Sequence, residues 1–375
     1  MTPMAVPVAQ AAVHMRRALE LAARGLYTAD PNPRVGCVLV RQDRVVGEGW
    51  HARAGEPHAE VHALRAAGAE ARGSTAYVTL EPCSHTGRTP PCADALIAAG
   101  VARVVCAVQD PNPRVAGSGI RRLQAAGIEV EAGLLAAEAR ALNAGFFSRF
   151  ERGRPFVRLK LAMSLDGRTG SAAGGRIWIT GEAARADVQE WRARSSAVLT
   201  GAGTVRADDP RLDVRLAYGP WVRQPLRVVL DSDLRCPPDA AVFRGSATLV
   251  FAAADAAGVP AAREIAAPAG DTRRIERVAR STRGLDLTAV FTRLAALEIN
   301  EVLAECGARL AGALLEADLV DELVLYVAPH FLGAHAPPLA AVPGLGDVAR
   351  LAHFEFRDQR MFQNDLRLVL IPKRA

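Results

Sequence analysis

The feature that most constrains the N-terminal half of this chain is a spaced set of one imidazole, one carboxylate and two thiols. The sequence reads His58-Ala59-Glu60, then Pro82-Cys83, and Cys92 follows after a short loop. One His nitrogen and two Cys sulfurs suit a tetrahedral Zn²⁺ and leave its fourth position open for water. Glu60 is not needed as a ligand and is placed to carry protons to a leaving group. The complete pattern resembles the His-x-Glu…Pro-Cys-x-x-Cys signature of zinc nucleobase deaminases, although the interval between the cysteines is longer here.

The residues around this motif predict two helix starts. Pro57 and the apolar run after Glu60 favour a helix that begins at His58, and this is the position at which His58 and Glu60 can share one site. Cys92 precedes a helical run to Ala99 that Gly100 ends, and helix N-termini favour thiolates. Two alternatives remain open at this point: a packed histidine with buried thiols, or a Cys83–Cys92 disulfide.

Length and composition define the broad class. A chain of 375 residues with 50% hydrophobic content and no low-complexity run predicts a globular protein of two or three domains. Residues 1–10 contain no secretory signal pattern, no apolar run reaches the roughly 20 residues of a membrane span, and the six cysteines show no paired framework. We therefore expect a cytoplasmic protein with reduced thiols and no membrane partner. The chain has a net charge of +6, but its arginines are scattered among acidic residues and form no basic patch in the sequence. This distribution favours small anionic ligands over nucleic acid.

Alternating strand and helix patterns predict two α/β domains. The first alternation runs from a helix at 14–23 to a helix at 134–142, with a hairpin turn at Gln42-Asp43. Residues 146–155 carry several charges without a clear period and are interpreted as a linker, so the domains are predicted as 1–148 and 149–375. The second alternation begins with a strand at 157–163 and predicts a mostly parallel sheet.

Two features of the second half suggest a ligand site. Lys160 lies inside an apolar strand, and it and Lys373 are the chain's two lysines, although arginine is abundant. A strand ending at Glu305 passes through Gly307 directly into a helix, an arrangement that can cradle the phosphates of a dinucleotide. By pattern alone, an ordinary strand-to-helix turn explains this segment equally well.

Longer motifs identify a resemblance that covers nearly the whole chain. They include the segments 31–37, 55–64 and 80–92, and in the second half 160–167, 178–180 and 207–210. In these segments the chain resembles the bifunctional riboflavin-biosynthesis deaminase/reductase family, in which the long interval between Cys83 and Cys92 is a regular feature. The resemblance implies a cytidine-deaminase-like three-layer domain followed by a dihydrofolate-reductase-like α/β domain. It also implies Zn²⁺ and NADPH as cofactors, phosphorylated pyrimidines as substrates, and a homodimer.

The resemblance implies roles for individual residues. His58, Cys83 and Cys92 would bind zinc, Glu60 would transfer protons, and Lys160 would orient the sugar or the cofactor. The residues that match cofactor positions are Ala162, Trp178, Thr204, Asp208, Ser232 and Gly307. Those that match substrate positions are Asn32, His51, Arg88, Arg176, Arg192, Leu212, Arg215 and Glu305. Arg176 and Cys306 depart from the small residues that are more usual in the family at these positions.

The implied reactions are deamination of a diamino(phosphoribosylamino)pyrimidinone and NADPH-dependent reduction of its ribosyl chain. One alternative is a nucleic-acid-editing zinc deaminase with an accessory nucleotide-binding domain, which predicts clustered basic and aromatic residues and binding to tRNA at physiological salt. Another is a relative with a single activity, which would deaminate substrate without consuming NADPH.

Overall fold

The computed structural model describes residues 8–84, 91–171, 175, 177–215, 223–256, 263–266, 272–343 and 353–373. The chain divides into two compact units, Met1–Gly153 and Arg154–Ala375. Within the described ranges, no helix combines the length and the apolar character that crossing a bilayer requires.

The first unit is a five-stranded sheet covered by helices, with strand order β2-β1-β3-β4-β5. β1 is antiparallel to β2 and to β3, whereas β3, β4 and β5 are parallel. The elements in chain order are α1 (Val8–Ala23), β1 (Gly36–Arg41), β2 (Arg44–Trp50), α2 (Ala59–Ala67), β3 (Thr75–Val78), α3 (Cys92–Ala99), β4 (Arg103–Cys106), α4 (Ser118–Ala125), β5 (Glu129–Ala132), α5 (Ala136–Leu142) and α6 (Ala144–Arg152).

Glycines at the sheet surface let two helices lie directly on the strands. A Cβ on Gly36 of β1 would lie 2.0 Å from the carbonyl oxygen of Ala18 in α1. Cβ atoms on Gly47 and Gly49 of β2 would lie 2.3 Å from backbone oxygens of α2. Side chains at these positions are sterically excluded, so the helix that carries the zinc motif sits closer to the sheet than ordinary packing allows.

The prediction of a linker at residues 146–155 is wrong. Residues 144–152 form helix α6, in which Phe146 and Phe147 are buried against Leu80. The sequence interpretation weighed the charges of this segment and missed its aromatic face, which supplies the apolar burial that stabilises a helix. Gly153 ends α6 in a left-handed conformation (φ 65°), so the predicted boundary at 148/149 falls inside the helix and the compact units divide after Gly153.

The second unit contains a ten-stranded sheet within the described residues, in the order β10-β11-β9-β8-β7-β14-β6-β15-β17-β16. Its elements are β6 (Phe156–Ser164), α7 (Glu182–Arg194), β7 (Ala197–Gly201), α8 (Ala202–Asp208), β8 (Leu226–Leu230), β9 (Thr248–Ala253), β10 (Arg263–Ala266), β11 (Thr272–Val278), β12 (Arg280–Ser281), β13 (Gly284–Leu285), α9 (Leu287–Ala296), β14 (Glu301–Glu305), α10 (Ala308–Glu316), β15 (Glu322–Ala328), β16 (Phe354–Phe362) and β17 (Asp365–Pro372).

The central strands of this sheet, from β11 to β15, are parallel, and the pairings at the two edges are antiparallel. The prediction of a mostly parallel sheet is therefore confirmed. Parallel strands collect their carboxyl ends at one edge, where α/β proteins bind ligands.

Candidate functional site

Helix α2 begins where the sequence predicts. His58 is its N-cap residue in extended conformation (φ −76°, ψ 168°), and the first helical residue is Ala59. This start places Glu60 in the first turn with only 3% of its surface exposed. The close contact of α2 with β2 therefore carries an imidazole and a buried carboxylate to the same end of the sheet.

The two thiols converge on His58 from other elements. Cys83 follows β3, and Cys92 is the first residue of α3. The Nδ1 atom of His58 lies 3.2 Å from Sγ of Cys92 and 3.6 Å from Sγ of Cys83. One ligand atom from each residue lies within 4.8 Å of the others, and both cysteines are free thiols, so no disulfide joins them. This donor set fits tetrahedral Zn²⁺ with one open position.

The electrostatics of this cluster favour a bound cation. The hydrogen bond from Cys92 lowers the pKa of Cys83 to about 4, and the same hydrogen bond raises the pKa of Cys92. Two sulfurs that share one proton in this way lose it to a divalent metal, because a coordinated thiol is deprotonated. Burial raises the pKa of Glu60 to about 6, with the charge of Cys83 acting in the same direction. A carboxyl group in this range can accept and release a proton near neutral pH.

Two predicted substrate residues lie beside the cluster. Nδ2 of Asn32 is 3.1 Å from Nε2 of His51, and Nδ1 of His51 is 3.3 Å from the carbonyl oxygen of Pro57. The rings of His51 and His58 meet edge to face, with centroids 5.2 Å apart. Desolvation lowers the pKa of His51 to about 4, so its ring is neutral at pH 7. Arg88, the third predicted residue on this side, lies outside the described residues.

Sequence reasoning missed two buried carboxyl groups near the cluster. Glu81 is 3% exposed, and its side chain accepts hydrogen bonds from four backbone N–H groups. Asp110 is 8% exposed, and burial raises its pKa to about 7. A signal for Asp110 was present, because Asp-Pro-Asn-Pro-Arg-Val occurs at 30–35, around Asn32, and again at 110–115.

In the second unit, a cavity of about 1240 Å³ opens at the carboxyl ends of β7, β8 and β14. Four predicted cofactor residues line it: Thr204, Asp208, Ser232 and Gly307. Gly307 is the N-cap residue of α10, and its N–H donates to Oγ1 of Thr204 over 3.2 Å. The predicted strand, glycine turn and helix are thus confirmed, and the cavity is large enough for a dinucleotide.

Two other predicted cofactor residues do not line this cavity. Ala162 lies on β6, and Trp178 is 60% exposed with the guanidinium of Arg185 at 4.5 Å from its ring. Arg176 lies outside the described residues.

The other predicted substrate residues form one charged cluster. Arg192 makes two hydrogen bonds to Glu305, of 2.5 and 2.9 Å, and a third to the carbonyl oxygen of Asp213. Asp213 also accepts a hydrogen bond from Arg215, and the preceding Leu212 is buried with φ 54°. The structure therefore brings all four of the residues predicted in this region together.

Lys160 completes the cluster. It lies beside Glu305 in the register of β6 and β14, and its Nζ is 5.9 Å from the ring centroid of Tyr326. Burial lowers the pKa of Lys160, against the opposing effect of the Glu305 charge. Burial acts to raise the pKa of Glu305, but the charges of Arg192 and Lys160 hold it below its ordinary value. The carboxylate thus stabilises buried Arg192 and half-buried Lys160 beside it.

A candidate zinc site in one unit, and in the other a dinucleotide-sized cavity together with a cluster of charged residues around Lys160, define a two-domain enzyme that combines a deaminase with a reductase. Residues 9–108 match the family model of the cytidine and deoxycytidylate deaminase zinc-binding region, and residues 155–368 match that of the RibD C-terminal domain.

Full-length relatives agree with this division. The riboflavin biosynthesis protein RibD of Escherichia coli (strain K12) is 50% identical over 368 residues, which cover 96% of this chain and 98% of the relative. The RibD structure from Acinetobacter baumannii aligns with a TM-score of 0.89 at 45% identity, covering 98% of this chain and 100% of that one.

A structure from Thermotoga maritima aligns with a TM-score of 0.83 at 33% identity, covering 98% of this chain and 99% of that one. It is described as a diaminohydroxyphosphoribosylaminopyrimidine deaminase/5-amino-6-(5-phosphoribosylamino)uracil reductase. This chain belongs to the RibD family of bifunctional riboflavin-biosynthesis deaminase/reductases, and it uses Zn²⁺ and NADPH on phosphorylated pyrimidines. The predicted fold class and paired activities are confirmed, and the matches support this function over an editing deaminase.

His51 should remain neutral in the folded protein until the pH approaches about 4. Because its folded pKa lies below the ordinary 6.5, its contribution to stability is present above about pH 6.5 and is lost as the pH falls toward 4. NMR titration of the ring in the zinc-loaded protein measures this directly. His51→Gln should flatten the loss of thermal stability over that range, whereas the same change at exposed His353 should not. A His51 resonance that titrates near pH 6.5 would contradict the assignment.

Proposed function

We propose that the first unit removes the 2-amino group of 2,5-diamino-6-(5-phosphoribosylamino)pyrimidin-4(3H)-one, and that the second reduces the ribosyl chain of the product to a ribityl chain. The proposal rests mainly on the convergence of His58, Cys83 and Cys92 beside buried Glu60. The pyrimidine named for the Thermotoga maritima relative supplies the substrate class. Water and the amino compound would yield a carbonyl compound and ammonia, and the second step would consume one NADPH and one proton.

In the deaminase site, His58, Cys83 and Cys92 would hold Zn²⁺, which supplies a Lewis acid able to activate water near neutral pH. Glu60 would take a proton from the attacking water and deliver it to the departing amino group, a role that its raised pKa of about 6 suits. Asn32 and neutral His51 would orient the pyrimidine ring through their hydrogen-bonding groups, and Arg88 is proposed as a further substrate contact.

In the reductase site, Thr204, Asp208, Ser232 and Gly307 would bind NADPH along the cavity. Ala162 and Trp178, which do not line it, are proposed as further cofactor contacts. NADPH supplies the two electrons of the reduction. Arg192, Leu212, Arg215 and Glu305, with Arg176, would bind the phosphorylated substrate, since guanidinium groups suit phosphate oxygens. Lys160 would place its ammonium group against the sugar, held by Glu305 and the face of Tyr326.

Glu60→Gln should abolish ammonia release while zinc is retained, because the change removes the proton carrier and spares the three ligands. We expect a loss in kcat of about 10²- to 10⁴-fold, the usual contribution of general acid–base catalysis. The measurement is an ammonia-release assay with metal analysis of the same sample, and exposed Glu129→Gln is the matched control. Turnover of Glu60→Gln at a comparable rate would remove Glu60 from this role, and a parent protein without tightly held zinc would contradict the metal site.

Lys160→Ala should abolish reduction and leave deamination intact, because Lys160 belongs to the unit that carries the cofactor cavity. Loss of absorbance at 340 nm should fall by about 10²-fold or more, consistent with the loss of a positioned charge, while ammonia release continues. The other lysine of the chain is the natural control: Lys373 makes an exposed pair with Glu355, and Lys373→Ala should reduce normally. Loss of both activities in Lys160→Ala would indicate one composite site.

We also propose a cytoplasmic homodimer that pairs through β16. The cysteines of the chain are free, as expected in a reducing compartment. Among the described strands, β16 is an outer strand of the large sheet, with residues 355–361 exposed on both faces. Phe356 and Met361 on this strand are 70% and 57% exposed. An unpaired strand edge is a template for another strand, and a second copy offers the matching edge.

Acidic side chains introduced on β16 should prevent the proposed pairing of two copies through this strand. Phe356→Asp combined with Met361→Asp should convert a dimer to a monomer in sedimentation velocity, because two carboxylates would be desolvated in the contact. Val13, 52% exposed on α1, provides the control change to Asp. A parent that sediments as a monomer at micromolar concentration, or a substituted protein that stays dimeric, would refute the proposal.

A further inference from the structure

The segment that carries the ligand Cys83 is short and irregular, and it lies between two helix starts. On one side, the carbonyl oxygen of Cys83 accepts the N–H of Ala93 over 3.1 Å, and its Sγ accepts the N–H of Cys92 over 3.3 Å. These contacts fix the cysteine to the first turn of α3. Strand pairing does not hold the side of the Cys83 segment that faces away from α3, because β3 ends at Val78.

The other side is held by the side chain of Glu81. One carboxylate oxygen accepts N–H groups from Asp110 (3.2 Å) and Gly117 (2.9 Å), and the other accepts those of Gly119 (2.9 Å) and Ile120 (3.2 Å). A carboxylate offers about four lone-pair positions, and each faces a backbone donor here. The backbone N–H of Glu81 itself donates to Val108 over 2.9 Å.

Helix α4 depends on this carboxylate because it has no cap of its own. Its N-cap residue is Gly117 (φ 75°), which has no side chain to accept the first N–H groups. Three of the four donors to Glu81 belong to this helix start. Uncapped N-terminal N–H groups carry the positive end of the helix dipole, so an external carboxylate is the favourable partner.

Two further contacts join the segment from Glu81 to Ser84 to helix α4. A Cβ on Gly119 would lie 1.9 Å from the carbonyl oxygen of Pro82, so the residue before the ligand touches the helix backbone. The hydroxyl of Ser84, the residue after the ligand, lies 2.6 Å from that of Ser118. The residues from Glu81 to Ser84 therefore contact α4 on both sides of Cys83.

We propose that Glu81 is a positioning residue for the metal site: it fixes the backbone of Cys83 against α4 so that Sγ stays within reach of His58 and Cys92. This inference rests on the proposed ligand role of Cys83. The four hydrogen bonds to the Glu81 carboxylate all come from backbone N–H groups, so its proposed effect on the metal site is transmitted through the backbone. Groups that orient metal ligands typically contribute about 10- to 100-fold to metal affinity.

The decisive variant is Glu81→Gln, which keeps the shape of the side chain but turns an NH₂ group toward two of the four N–H donors. Zinc affinity, measured by competition with a chelator, should fall about 10- to 100-fold. The visible absorption of the Co²⁺-substituted protein should change, because those bands report ligand geometry. Gly119→Ala, which displaces Pro82 from the helix side, should change both readouts in the same direction. If Glu81→Gln is not recovered folded, Glu81→Asp and Gly119→Ala decide the question.

Asn143→Ala, in the same unit, is the control that separates a general loss of stability from a specific effect on the metal site. Asn143 is 2% exposed, and its side chain makes two hydrogen bonds to the backbone of Arg34, of 2.8 and 2.9 Å, so its removal should lower the melting temperature. The partner of these two bonds, Arg34, lies outside the segment from Glu81 to Ser84. This variant should keep the parental zinc affinity and Co²⁺ spectrum. Parental zinc affinity and spectrum in Glu81→Gln would overturn the inference, as would an equal zinc loss in Asn143→Ala. A parent that binds no zinc would instead contradict the proposed metal site itself.

Discussion

The deaminase site depends on the direct contact between helix α2 and strand β2. Gly47 and Gly49 permit this contact, because any side chain there would meet the backbone of α2. The helix start consequently lies at the sheet end, where His58 faces two thiols and Glu60 is withdrawn from water. The same burial raises the pKa of Glu60 toward neutrality. A steric property of two glycines in a strand thus influences both the convergence of the three proposed metal ligands and the proton affinity of the carboxyl group beside them.

Both units place their functional groups where strands end and helices begin. In the first unit, α2, α3 and α4 each begin beside the zinc motif, and N–H groups at the starts of α3 and α4 hold Cys83 and Glu81. In the second unit, the start of α10 faces the dinucleotide-sized cavity through Gly307. Backbone N–H groups at helix starts are rigid and carry partial positive charge, which suits thiolates, carboxylates and phosphates alike. The two chemistries therefore share one way of stabilising negative charge.

Much of the fold and of the candidate site was predictable from the sequence. The helix start at His58, the start of α3 at Cys92 and the turn at Gly307 were predicted within a residue or two, because each carries a local signal. Helix α6 was mistaken for a linker because its stability comes from Phe146 and Phe147 packing on Leu80, which is distant in sequence. The role of Glu81 was not predictable, since its partners at 110–120 have no sequence pattern that points back to it.

The sequence by itself determined the donor chemistry: one imidazole, two sulfurs and a nearby carboxylate specify zinc and proton transfer, because ligand preference and acid–base function belong to the side chains themselves. It also determined the two-domain α/β order through its alternating periods. Only the tertiary structure decided which charges meet, such as Arg192, Glu305 and Lys160 in one cluster, and how far each pKa moves. Those properties depend on burial and on distances between residues far apart in the chain, and a linear sequence contains neither quantity.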